Sequence, residues 1–129
     1  MTKPMIENKA ELLELVRRAK SSHVRWRAYA QGLVAGVEVK AENLPVKHTE
    51  CRFGKWYFSE GMAMFGQRQV FRDIQGGHEM LHAVYEQIYR LVKQADFKHA
   101  EAKLAQLMEI SRTLMEQLAL LEQEIEAHS

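Results

Sequence analysis

The 129 residues suit one domain with a single core, and 18 Lys and Arg against 17 Asp and Glu leave a formal net charge of +1. Charges of both signs are interleaved, so the chain lacks the basic stripe that nucleic-acid binding needs. The start has no apolar signal core, and no apolar run approaches the roughly 20 residues that span a bilayer. A lone Cys51 cannot close an internal disulfide, which suits a reducing cytoplasm, so the expected protein is cytoplasmic, with no membrane or nucleic-acid partner.

The first predicted helix runs from about Ile6 to Leu33. Val16, Ala19, His23, Trp26, Ala30 and Leu33 recur in steps of three and four, the spacing of one buried helix face. From Gly36 to Thr49 the chain reads as a loop, because Asn43-Leu44-Pro45 disfavours helix. Glu50 to Gly61 is short and aromatic and reads as a short helix or turn carrying Cys51. A second long helix is expected from about Gln67 to Lys93, with Phe71, Ile74, His78, Leu81, Tyr85, Ile88 and Val92 inward and His82 beside them. Gly76-Gly77 interrupts it, and marks a kink, a break or a close backbone approach. Asp96 is the expected N-cap of a third long helix. There Ala100, Leu104, Leu107, Ser111, Leu114, Leu118, Leu121 and Ile125 keep a heptad beat, fit for a bundle core or an intermolecular seam. The fold class is all-α: an antiparallel four-helix-type bundle with a short extra helix carrying the cysteine.

The chemistry concentrates on histidine. His78 and His82 are four apart, so both imidazoles leave one helix face and can grip one ion. Burying two imidazoles without a partner is costly, which favours a ligand over simple packing. With His23 in the first stripe and Cys51 between, the candidate ligands are His23, Cys51, His78 and His82, a donor set suited to tetrahedral Zn2+. His48 competes, since His48-x-x-Cys51 could chelate locally; His99 and His128 are weaker candidates. His78-Glu79-Met80-Leu81-His82 also fits the H-E-x-x-H pattern of zinc metallopeptidases, with Glu79 as general base and Glu101 as a conceivable third ligand. A di-iron bundle would need more histidines and inward carboxylates. A metal-independent dimerisation adaptor would need only the last helix.

His23-Val-Arg-Trp26, Leu44-Pro45, His48-x-x-Cys51-Arg-Phe-Gly-Lys-Trp-Tyr57, Gly61, Phe71 and His78-x-x-x-His82, in this order and spacing, resemble the chemoreceptor zinc-binding domain over roughly residues 15 to 92. The resemblance implies a zinc site whose ligands are Cys51, His23, His78 and His82, and leaves His48 behind or beside it. It also implies a non-enzymatic, cytoplasmic regulatory domain of bacterial signalling, of chemotaxis or cyclic-di-GMP type, that can dimerise. Family members are usually fused to receptors or cyclases. Residues 1–129 read instead as a single such domain without an output module, so a signalling partner would act in trans. Three imidazoles and one thiolate close the tetrahedron, so the expected role is sensing of zinc, or of an oxidant through Cys51, rather than catalysis. Arg52 and Lys55 are expected to favour the thiolate.

Overall fold

The computed structural model describes residues 9–38, 40, 45 and 47–127. Three long helices dominate: α1 (Lys9–Val34), α4 (Gln69–Lys93) and α5 (Phe97–Ala127). Between α1 and α4, α2 (Arg52–Trp56) passes through one π-helical turn (Tyr57–Gly61) into α3 (Met62–Phe65). The expected short helix is therefore present and runs four residues further than its sequence signal. Asn43 and Leu44 of the expected loop, the first residues assigned to α1, and His128 lie outside the described residues.

The helix directions follow from the contacts. α4 and α5 are joined by a tight turn in which Ala95, at φ 59°, takes the left-handed conformation. The Ala95 N–H reaches the Val92 carbonyl (2.9 Å) and the Asp96 N–H reaches Leu91 (2.8 Å), a Schellman closure that sends α5 back along α4. Arg68 at the start of α4 pairs with Glu124 near the end of α5, confirming the antiparallel packing. α1 is also antiparallel to α5: Lys9 donates to the Glu126 carbonyl (2.8 Å), and Arg17 and Lys20 hold Glu122 at 2.9 and 2.6 Å. α1 and α4 are thus parallel, and α2–α3 runs down between them, with Phe53 beside His78 and Phe65 beside Phe71. The result is an all-α bundle of the expected four-helix type, running up-down-up-down, in which the short cysteine-bearing segment is the second member rather than an extra one.

The sequence stripes form its core. Val16, Ala30, Phe71, Ile74, Leu81, Tyr85, Ile88, Leu107, Leu114, Leu118 and Leu121 are fully buried, each large apolar side chain contributing about 1.5–3 kcal/mol. Trp26, Val92 and Leu104 only half-bury. The α5 heptads face α1 and α4 of the same chain, so that stripe is not available as an intermolecular coiled-coil seam. Asp96 does cap α5, accepting the His99 N–H at 3.2 Å, and the His99 ring folds back onto the same carboxylate.

Gly76 and Gly77 do not break α4, which is continuous through them. Gly77 faces α5, where a Cβ would come within 3.3 Å of Gln117 Oε1 and 3.9 Å of Leu114, so it marks a close helix–helix approach. Gly76 faces open space. Gly76→Ala should therefore stabilise the protein by up to about 1 kcal/mol, read as a raised denaturation midpoint. Burial alone would raise the Glu122 carboxyl, but hydrogen bonds from Lys20 and Arg17 outweigh it and hold the pKa below its ordinary 4.5. The stability this provides is present above pH 4.5 and is lost as pH falls through the lower folded value. Glu122→Gln should cost about 1 kcal/mol at pH 7, and its urea midpoint should converge with the parent's in acid.

Candidate metal centre

Each ligand candidate is delivered by a different local device. His23 occupies the buried stripe of α1, and His78 and His82 occupy successive turns of the buried face of α4; all three are at most 3% exposed. Cys51 stands at the N-cap of α2, in extended conformation, where its sulfur accepts the Gly54 N–H at 3.3 Å. One ligand atom from each of His23, Cys51, His78 and His82 lies within 4.8 Å of every other. The Cys51 sulfur is 3.2 Å from Nε2 of His78. On a zinc tetrahedron, with bonds of about 2.0–2.3 Å, neighbouring ligand atoms stand about 3.3–3.6 Å apart. The cluster thus needs only small side-chain adjustments to close on one ion.

The protonation states suit a cation. Nδ1 of His23 lies 2.6 Å from the Ala19 carbonyl, which can only accept, so Nδ1 carries the proton and Nε2 presents its lone pair. Burial lowers the His23 pKa. Burial also pushes His78 down to about 2, helped by the neighbouring His23, His82 and His48 rings. These imidazoles are neutral at physiological pH, the form that binds metal. At Cys51 the expected pull of Lys55 toward the thiolate is present. Burial raises the thiol pKa, outweighing the lowering pull of the Gly54 and Phe53 N–H groups and of Lys55. A divalent cation reverses that balance, since a coordinating thiol is deprotonated outright.

Aromatic rings wall the cluster. The Phe53 ring meets His78 edge-on at 5.2 Å, and Trp26 lies 4.6 Å from His82 and 4.5 Å from Tyr85. Below them Tyr57 stacks on Phe71 at 4.0 Å and donates to the Phe71 carbonyl at 2.6 Å, tying the π-helical turn to α4. His48 is half-buried beside the cluster and outside the four-ligand group. His99 is held at its own helix start. Glu79 and Glu101 are exposed and take no part.

Gly54 carries a role that composition could not reveal. A Cβ there would sit 1.7 Å from the His48 carbonyl oxygen, an impossible distance to a backbone atom. The same carbonyl is 3.5 Å from the Cys51 sulfur. Only glycine lets the chain fold tightly enough to aim Cys51 at His78. Gly54→Ala should therefore open the turn and lower zinc affinity about 10- to 100-fold, measured by chelator competition, with helix content by circular dichroism largely kept. Undiminished affinity would show that the turn does not position the sulfur.

Comparison with curated proteins and comparison with solved structures each return no match. The sequence profile of the chemoreceptor zinc-binding domain matches residues 23–89, more than half of the chain, and this span contains all four clustered donors. The chain belongs to the chemoreceptor zinc-binding domain family.

Proposed function

We propose that this chain is a zinc-responsive regulatory domain in which His23, Cys51, His78 and His82 bind a single Zn2+. The observation that carries the reading is the convergence of one sulfur and three ring nitrogens from three separate stretches of chain within 4.8 Å. Four protein ligands complete the tetrahedron and leave no position for a metal-bound water, the nucleophile that hydrolysis requires. The H-E-x-x-H reading gains no support, because its would-be base Glu79 is exposed on the outer side of α4. The ion would staple α1, the Cys51 turn and α4 together, and its binding is linked to their order.

The sensing chemistry is assigned to Cys51. It is half-buried, whereas the three histidines are each at most 3% exposed. A groove of about 810 Å3 between α1 and α2 runs up to it, lined by Leu12, Ala19, His23, Phe53 and Trp56 among others. An oxidant such as a peroxide can reach the sulfur by that route. Attack of the thiolate on the peroxide forms an S–O bond, breaks the O–O bond and releases hydroxide, leaving a sulfenic acid that is a weaker zinc ligand than the thiolate. The output is a rearrangement of the bundle, passed to a signalling partner or through a homodimer in the cytoplasm. No described helix is long and apolar enough to cross a membrane.

Elemental analysis of the purified protein should find one zinc per chain. Chelation should lower the melting temperature and raise amide exchange first over residues 47–61. Cys51→Ala should lower zinc affinity by tenfold or more, an effect of roughly 1.4 kcal/mol or above. Full zinc retention by Cys51→Ala under chelator challenge would remove the sulfur from the site.

A further inference from the structure

Three histidine rings form the centre, and a fourth, His48, borders it. The His78 ring is the hub: centroids of His82 and His23 lie 4.7 and 4.9 Å from it, and those two are 5.5 Å apart. His48 lies 5.9 Å from His78 and meets it edge-on at 86°, only 0.4 Å beyond the His23–His82 spacing. It is half-buried, so it borders the site from the solvent side, and its other ring neighbour is the exposed Phe58 at 5.7 Å. It also belongs to the same turn as Cys51, three residues earlier, with its carbonyl 3.5 Å from the sulfur.

We propose that His48 is a reserve ligand: when the Cys51 sulfur leaves the ion, the His48 imidazole swings in and completes a four-histidine site. This rests on the zinc reading above and adds to it what happens to the metal when the thiolate is lost. Imidazole nitrogen is an ordinary zinc ligand, so the tetrahedron is preserved. Exchanging a thiolate for a neutral ring changes the formal charge of the site by one positive unit without releasing the ion. The signal is then a change of charge and of turn geometry around a retained metal. Because both donors hang from one turn, the exchange moves the Cys51 segment while His23, His78 and His82 stay on their helices.

The test is a double-mutant cycle on the full chain, read by zinc competition with a chelator and by cobalt(II) absorption. In the Cys51→Ala background, His48→Ala should lower zinc affinity about tenfold or more, and with Cys51 present it should cost far less. Cobalt-loaded Cys51→Ala should lack sulfur-to-metal charge transfer yet keep intense tetrahedral d–d bands, and the double variant should lose that intensity. Cys51→Ser provides a second background should the alanine variant fold poorly by circular dichroism. Equal affinities and equal cobalt spectra for the single and double variants would overturn the reserve-ligand role alone. A parent chain that binds no zinc would overturn the site itself.

Discussion

Three imidazoles and a thiol share one water-poor pocket, and their desolvation is the constraint around which this bundle is arranged. Neutral rings can be buried at tolerable cost, but only if their polar nitrogens find partners. For His23 one nitrogen is settled within its own helix by the Ala19 carbonyl. The nitrogens turned toward one another need a shared acceptor of lone pairs, and a divalent cation is the simplest species that satisfies several at once. The same burial that keeps the rings neutral would keep the thiol protonated without the ion. Metal binding and thiol ionisation are therefore one coupled event.

The two kinds of support around the cluster differ in stiffness. His78 and His82 are fixed by a helix whose inner face is packed throughout, and Tyr57 and Phe71 brace the segment opposite. Cys51 hangs from a turn held by hydrogen bonds of 3.3–3.5 Å to sulfur, which are weak ones. Three donors are rigid and one is compliant. The cysteine is therefore the donor whose position depends least on the helix core.

Much of this was legible in the residues. The three long stripes, the Asp96 cap and the i, i+4 histidine pair all depend on local periodicity, and the structure honours them. The helical class and the three histidine donors could be read because inward positions on neighbouring helices must meet, whereas the preference for Cys51 over His48 came from the family resemblance. What could not be read depends on contacts distant in sequence or on exact backbone geometry. Gly77 and Gly76 look identical as a dipeptide, yet only one faces α5. The requirement at Gly54 arises from a carbonyl six residues earlier. The π-helical turn has no composition signature, and it lets α2–α3 run on to Phe65 rather than stop at Gly61. That burial raises the Cys51 pKa against the lowering pull of Lys55 depends on packing that the neighbouring residues do not disclose.

The way α1 is fastened has a mechanical consequence. Its first half is pinned by Leu12, Val16 and Ala19 and by the cations that grip Glu122, whereas beyond His23 only Ala30 and Leu33 are fully buried. His23 lies between two anchored stretches, with eleven residues of helix beyond it, about 16 Å at 1.5 Å per residue, held by Ala30, Leu33 and the Trp26 ring on His82 and Tyr85. A shift of the imidazole would therefore be carried by the helix as a whole rather than absorbed locally. Coordination at His23 is thus tied mechanically to both ends of α1.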